Sequence, residues 1–237
     1  MRRLIWDLPT RLFHWLFVAG FAFTAFVALV LGEHSRVFAY HAMVGLALAL
    51  MVCLRVVWGF VGTRYARFGS FAFGPGAVFA YVKGTIVGGG KRYIGHNPGS
   101  AVAIFAMLGL VIALAVTGVM LGRDFEGVKE LHEVLSYVLV GVVGVHILGV
   151  AWHTIRHREN ITASMVHGHK QAGDGEGIGS PRRVVALVFV VLVGAWFGAL
   201  VRNYDSVEGT TRLPVVGMVL HLTEGTDEDE GGNHSED

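Results

Sequence analysis

Five long apolar stretches, separated by polar segments, dominate the pattern along the chain. They cover Leu12–Gly32, Val37–Gly62, Ser100–Gly122, Val134–His153 and Val184–Val201, and Arg55 is the one Lys, Arg, Asp or Glu inside them. A helix of about 20 apolar residues spans the roughly 30 Å hydrocarbon layer of a membrane. Because lipid offers backbone groups no hydrogen-bond partners, these segments must be helical. The pattern predicts five spanning helices, at about residues 10–32, 37–62, 99–122, 129–156 and 182–201.

The remaining segments are too polar or too short to span. Phe71–Val87 mixes aromatic residues, glycine and Lys83, which predicts a helix lying on the membrane surface. Residues 171–181 form a linker before the fifth helix. Residues 202–237 hold 9 of the 18 acidic residues, so we expect an acidic tail that is disordered at its end. Leu213–Leu222 within this tail is apolar but too short to cross a membrane.

Positive charge is distributed unequally between the two sides of the predicted membrane. Thirteen Lys and Arg residues precede the first helix or lie in the second-to-third and fourth-to-fifth connections, against five on the opposite side. The positive-inside rule therefore predicts a cytoplasmic amino terminus and a periplasmic carboxyl tail. A cleaved signal peptide is disfavoured, because the first apolar run is about 20 residues long and no clear Ala-x-Ala site follows it.

Composition removes several classes of function. Of 237 residues, 53% are hydrophobic and 16% charged, with a mean hydropathy of +0.56, whereas soluble domains carry roughly 25% charge. Lys plus Arg (19) nearly balance Asp plus Glu (18), so no basic field exists to attract nucleic acid. The single cysteine, Cys53, excludes a disulfide scaffold and Cys-ligated zinc or iron–sulfur sites, and we expect it to be a small buried residue.

Histidine is the chemically active residue of the spans, which contain no interior carboxylate of the kind that lines proton and cation pathways. His14 lies near the cytoplasmic end of the first helix, and His41 near the outer end of the second. His132 and His146 are 14 residues apart on the fourth helix, so they share one face about 21 Å apart along its axis. His41 and His132 are thus expected to meet near the outer surface, and His14 and His146 toward the cytoplasm.

Two imidazoles from facing helices are the ligands that a low-spin haem iron requires. Arg55 is 14 residues after His41 on the same face, where its guanidinium would neutralise a haem propionate. Gly45, one turn from His41, would let a porphyrin approach the backbone. His153 lies at a suitable depth to replace His146 as the inner ligand. A divalent metal site is the competing interpretation, but it would need its ligands clustered rather than spread over both leaflets.

A set of short motifs extends over about residues 1–170. They are Trp6–Trp15, His41, Arg55–Tyr65, Gly95–Pro98, Thr117–Gly118, His132, His146, Arg158–Asn160 and Ser164–Gly168. In combination they resemble the b-type cytochrome subunits of membrane-bound nickel–iron hydrogenases, within the bacterial di-haem cytochrome b superfamily. The fifth helix and the acidic tail depart from the four-helix pattern of that family.

This resemblance implies an all-α integral membrane protein, with a four-helix di-haem bundle over residues 1–170 and a fifth transmembrane helix. It implies two haem b groups, held by His41 with His132 and by His14 with His146, and it favours His146 over His153. It further implies a bacterial inner-membrane location and electron transfer between membrane quinone and a periplasmic partner, either a hydrogenase small subunit or a cytochrome c. Association of several copies within one complex is compatible with this pattern.

Two further functions remain open from the sequence. One is a stand-alone oxidoreductase that transfers electrons from superoxide to quinone, and the other is a metal-ion transporter. Just before the third spanning helix, His96 and Asn97 have two interpretations. They line a quinone pocket, or Asn97 caps a helix that begins at Pro98.

Overall fold

The protein is described by a computed structural model that covers residues 1–87 and 93–223. Within them, five helices are long and apolar enough to cross a membrane. They are α1 (Leu8–Phe26, extended by a π-helical turn over Val27–Leu31), α2 (Phe38–Val61), α4 (Pro98–Leu121), α5 (Lys129–His157) and α7 (Arg183–Arg202). Each begins and ends within two residues of its predicted bounds. The chain is thus an all-α, multi-pass membrane protein, as the sequence predicted.

Shorter elements connect these spans. They are β1 (Arg2–Leu4), a 3₁₀ turn at Phe68–Ser70, α3 (Pro75–Val87), a 3₁₀ turn at Glu126–Val128, α6 (Ile161–His167), β2 (His169–Gln171), β3 (Thr210–Arg212) and β4 (Val219–His221). The helix α3 coincides with the segment predicted to lie on the membrane surface, and it packs on α4. Its exposed apolar side chains include Phe79, Val82 and Val87.

Side-chain caps fix where several helices begin. The Asp7 carboxylate accepts a hydrogen bond from the Thr10 backbone N–H at 2.8 Å, and the Asn97 side chain accepts one from Ser100 N–H at the same distance. Each cap satisfies an N–H that has no partner within the first helical turn. Pro9 and Pro98 follow the two caps in first-turn positions, where proline costs no hydrogen bond.

The spanning helices pack as two pairs joined through their middle members. The helix α1 packs on α2, α4 packs on α5, and α2 also packs on α4, while α7 lies against α1 and α2. The central core contains Val52 of α2, Leu108 and Val111 of α4, and Leu139 of α5. Many other apolar side chains point outward, including Val145, Leu148 and Val191, as expected for helices surrounded by lipid.

The chain's amino terminus defines one end of the bundle, here called the amino end. There β1 pairs antiparallel with β2, so that Arg3 lies opposite Lys170. Residues 171–181, predicted as a linker, fold back onto this end. The N–H of Ile178 donates to Leu4 O at 2.8 Å, and the Tyr65 hydroxyl donates to Glu176 O at 2.7 Å.

The opposite end is covered by an antiparallel hairpin of β3 and β4, and is here called the hairpin end. Leu213, Leu220 and Leu222 of this hairpin are buried with Ala39 and Met43 of α2 and Leu200 of α7. The N–H of His221 donates to Gly122 O at 2.8 Å, which attaches the hairpin to the end of α4. The predicted tail therefore starts with a folded segment. Its acidic end, residues 224–237, lies outside the described residues.

The expectation for Cys53 was wrong. Its side chain is exposed on α2 rather than buried in the core. In a membrane helix the outward face meets lipid, so a small apolar residue is as stable there as in the interior.

Candidate functional site

His41 is held in one orientation at the hairpin end. Its ring stacks on Phe38, with centroids 5.2 Å apart and planes 7° apart, and its Nδ1 lies 3.0 Å from the Thr24 carbonyl oxygen. Because a carbonyl oxygen can only accept, Nδ1 carries the hydrogen and donates it. The π-helical turn that starts at Val27 follows closely, and such turns are frequent where a helix carries a functional group. The Nε2 of His41 is then left with a lone pair that is free to bind a metal.

His132, on α5, has a matching arrangement with α4. Its Nδ1 lies 2.8 Å from the Thr117 hydroxyl oxygen, which also lies 3.0 Å from Ala113 O and 3.2 Å from Leu114 O. The hydroxyl has one hydrogen, and it donates this to a helix carbonyl. Its oxygen therefore accepts from the Nδ1–H of His132. As in His41, the Nε2 atom remains as the metal-binding atom.

The four histidines predicted as ligands lie at the two ends of the bundle. His132 and His41 lie close enough for their charges to interact, and so do His14 and His146. At the amino end, His14 of α1 is near His146 of α5. At the hairpin end, His41 of α2 is near His132 of α5. His153 lies two turns beyond His146 on α5 and is half-buried. His146 lies close enough to His14 and to His96 for their charges to interact.

Polar atoms without partners surround the amino-end pair. The Nδ1 of His14 is buried with no hydrogen-bond partner, and so is Nη1 of Arg55. Arg55 is only 4% exposed; its Nη2 donates to Ala66 O at 3.0 Å, and its guanidinium lies 5.2 Å from the centre of the Phe68 ring. A buried cation with an unused N–H is costly unless an anion completes its contacts. The carboxylate of a haem propionate would meet this requirement, which is the role predicted for Arg55 from its position on α2.

His96 lies at the amino end, and its Nδ1 is buried without a hydrogen-bond partner. Its ring lies between Trp6 and Phe71, with centroid distances of 4.7 Å and 4.4 Å. Burial, together with the nearby charges of Arg55 and Lys170, lowers its pKa to about 3. Asn97 caps α4, which is the second of the two interpretations given for this segment.

Three groups near these histidines were not identified from the sequence as parts of the site. Lys170 is only 6% exposed and pairs with Glu159 at 3.5 Å, yet the sequence marked it only as a surface charge of a connection. Thr117 was noted as part of a motif, without a role. The carbonyl of Thr24 is a backbone group, which no sequence pattern identifies.

Open space borders Gly45, the residue predicted to let a porphyrin approach the backbone of α2. A Cβ added at Gly45 would meet no atom within 4 Å, although this residue is half-buried between helices. A Cβ at Gly118 would lie 3.5 Å from the His132 ring, which is an ordinary van der Waals distance, so α4 and α5 are in direct contact there. Residues 1–87 and 93–223 contain no cluster of three or more His, Cys, Asp or Glu side chains that could hold a metal ion. Paired imidazoles, rather than a clustered ligand set, are what these helices provide.

Comparisons with known proteins show the family of this chain. The family model described as prokaryotic cytochrome b561 matches residues 5–168. Two similar proteins are each described as a probable Ni/Fe-hydrogenase B-type cytochrome subunit. The one from Rhizobium leguminosarum bv. viciae is 27% identical over 215 residues, covering 73% of this chain and 90% of its own length. The one from Bradyrhizobium diazoefficiens is 25% identical over 217 residues, covering 72% and 86%.

No solved structure matches the chain significantly. The family match ends at residue 168, so α7 and the hairpin lie beyond it. It includes all four paired histidines and Arg55 within one continuous region. The chain therefore belongs to the prokaryotic cytochrome b561 family, whose members are membrane-embedded b-type cytochromes that transfer electrons.

Proposed function

We propose that this chain holds two b-type haems, one between His41 and His132 and the other between His14 and His146. The observation that carries this proposal is the pairing of imidazoles across facing helices, one pair at each end of the bundle. In the hairpin-end pair, both Nδ1 atoms donate to groups of Thr24 and Thr117, so both Nε2 atoms have a lone pair that would be available to a haem iron.

The chain's own residues bind and orient the two groups. The four histidines would hold the haem irons through ring nitrogens, Gly45 would allow close approach to α2, and the unused N–H of Arg55 would donate to a propionate at the amino end. Bound haem supplies reversible one-electron chemistry at iron. Because His132 and His146 are about 21 Å apart along α5, the two sites would lie toward opposite membrane surfaces.

The electron path that we propose runs between a periplasmic redox partner and the membrane quinone pool, in a bacterial inner membrane. The descriptions of the two relatives support a nickel–iron hydrogenase as the partner. The excess of Lys and Arg at the amino end supports a cytoplasmic location for that end and a periplasmic location for the hairpin end.

Haem content of purified variants tests the ligand assignment. We expect two haems per chain in the wild-type protein by pyridine haemochrome analysis, and one in each of His14→Ala, His41→Ala, His132→Ala and His146→Ala. His153→Ala is the matched control on α5 and should retain both. Loss of the amino-end haem in His153→Ala, with retention in His146→Ala, would show that the inner ligand is His153.

A second experiment tests the partner and the quinone. After extraction of membranes in mild detergent, we expect a tagged chain to retain a nickel–iron hydrogenase. We also expect reduced protein to be reoxidised by a short-chain quinone. Rapid reduction by superoxide without a partner protein would instead support the stand-alone oxidoreductase. A colourless protein from haem-replete cells would refute both electron-transfer functions.

A further inference from the structure

The two histidine pairs differ in what their Nδ1 atoms contact. At the hairpin end, His41 donates to the Thr24 carbonyl at 3.0 Å and His132 donates to the Thr117 hydroxyl at 2.8 Å. At the amino end, the Nδ1 of His14 is buried and has no hydrogen-bond partner. The imidazoles that would hold haem at the hairpin end therefore have hydrogen bonds at Nδ1, whereas His14 at the amino end does not.

This difference has a direct consequence for redox chemistry. An acceptor on the Nδ1–H draws the proton outward, which increases electron density on the ring and makes Nε2 a stronger donor to iron. A stronger donor stabilises the more positive ferric state relative to the ferrous state. Two bonded imidazoles thus lower the midpoint potential of the hairpin-end site relative to a site that lacks one of these bonds.

The charges near the two sites act in the same direction. Arg55 is buried at the amino end with an unused N–H, and it lies close enough to His96 for their charges to interact, as do His14 and His146. Over the described residues, Lys and Arg clearly outnumber Asp and Glu at the amino end, whereas the two are nearly balanced at the hairpin end. Nearby positive charge favours the ferrous state, because reduction removes one positive charge from the site.

We propose that Thr117 and the Thr24 carbonyl hold the hairpin-end haem at a lower midpoint potential than the amino-end haem. Electrons that enter at the hairpin end then pass downhill to the amino end, with one iron oxidised as the other is reduced. The proton shared by His132 and Thr117 stays in place during this transfer. Thr117 is a positioning residue, acting through His132. This inference rests on the proposed function, since it requires both haems.

The test is dye-mediated potentiometry of the haem spectra in Thr117 variants. Thr117→Val keeps the shape of the side chain but removes the hydroxyl, so we expect an upward shift of the hairpin-end midpoint potential and none at the amino end. Thr117→Ser keeps the hydroxyl and should restore the wild-type value. Ser136→Ala is the matched control, because the Ser136 hydroxyl bonds the His132 backbone carbonyl at 2.8 Å and not its ring.

Single-haem variants assign each potential to its site. His14→Ala retains the hairpin-end haem and His132→Ala the amino-end haem, so the order of the two potentials can be measured separately. The low-spin ferric EPR g values provide a second signature, which should change in Thr117→Val but not in Ser136→Ala. If Thr117→Val takes up no haem at the hairpin end, the inference is tested by the order of the midpoint potentials in the two single-haem variants.

Three results would overturn the inference. They are an unshifted potential in Thr117→Val, an equal shift in Ser136→Ala, or a higher potential at the hairpin end than at the amino end. These results are distinct from failure of the proposed function, which would appear as fewer than two haems in the wild-type protein. A preparation with two haems and no Thr117 effect would leave the proposed function intact and refute only the order of potentials.

Discussion

Asp7 connects the first two helices through a carboxylate that is only 1% exposed. One oxygen caps α1, and the other accepts hydrogen bonds from the Trp58 indole N–H at 3.1 Å and from the Thr63 hydroxyl. Asp7→Ala removes the cap and leaves two donors without an acceptor, so we expect a loss of about 3 kcal/mol in the free energy of unfolding.

Unfolding by SDS in mixed micelles measures this loss. Asp174→Ala is the matched control, because Asp174 pairs with Arg3 on the surface with its side chain 85% exposed. Exposed ion pairs contribute little, so its stability should remain close to that of the wild-type protein. Equal stability of Asp7→Ala and Asp174→Ala would contradict the structural role of the Asp7 network.

We expect the stability of the folded protein to depend on pH through the protonation of His96. Its pKa is about 3 in the folded protein, through burial and nearby positive charges, against 6.5 in the unfolded chain. Between these values the unfolded chain binds the additional proton, so stability is highest above about pH 6.5 and falls as the pH falls toward 3. The slope contributed by this one residue is at most about 1.4 kcal/mol per pH unit.

Thermal unfolding of wild-type and His96→Gln proteins between pH 7 and pH 4 measures this contribution. We expect the wild-type protein to lose stability more steeply than His96→Gln, because glutamine has no proton to gain. His34→Gln is a suitable control, since His34 is exposed. Parallel curves for wild-type and His96→Gln would show that His96 is not held neutral by its surroundings.

At the scale of elements, the hairpin is anchored by one face of its second strand. Leu220 is 2% exposed and lies in the cluster with Met43 and Leu200, while its neighbour Val219 is 46% exposed. Leu220→Ala should therefore destabilise the hairpin by about 2–4 kcal/mol, through lost burial and the remaining cavity. Val219→Ala, in the same strand but on the outer face, should change stability little.

Limited proteolysis separates these two variants. Cleavage between residues 203 and 223 should be faster in Leu220→Ala than in the wild-type protein, with α1–α5 intact and both haems retained. Similar cleavage of the two variants would mean that the hairpin does not depend on the buried face of β4. Loss of the hairpin-end haem in Leu220→Ala alone would show that the hairpin also supports α2 around His41.

The spans were predictable because membrane helices are defined by length and composition alone. The sequence did not predict the hairpin, because apolar and polar residues alternate only weakly over Leu213–Leu222. The burial of this segment depends on its contacts with α2 and α7. The same limit applies to residues 171–181, which contact β1 over a long sequence separation. The spacing of His132 and His146 suggested the histidine pairs, because residues 14 apart on a helix lie on the same face. This spacing could not predict the hydrogen bond from His132 to Thr117, because that bond depends on how α4 and α5 approach each other and on the orientation of the imidazole ring.

For the whole molecule, the uneven distribution of charge determines which end faces the cytoplasm. The amino end has most of the Lys and Arg residues, and in the sequence the hairpin is followed by seven acidic residues between 224 and 237. Since positively charged segments are retained on the cytoplasmic side during insertion, we expect the hairpin to be periplasmic. A periplasmic hairpin would place the His41–His132 pair next to an external electron donor and the His14–His146 pair at the opposite surface.

Cysteine labelling tests this orientation with two exposed serines. Ser206 lies at the hairpin end and Ser70 at the amino end, and each can be replaced by cysteine in a Cys53→Ala background. We expect a membrane-impermeant maleimide to label Ser206→Cys in intact spheroplasts, and Ser70→Cys only after the membrane is permeabilised. The reverse pattern would place the amino end outside. The external donor would then have to approach His14 and His146, and the downhill order of potentials would run toward the donor rather than away from it.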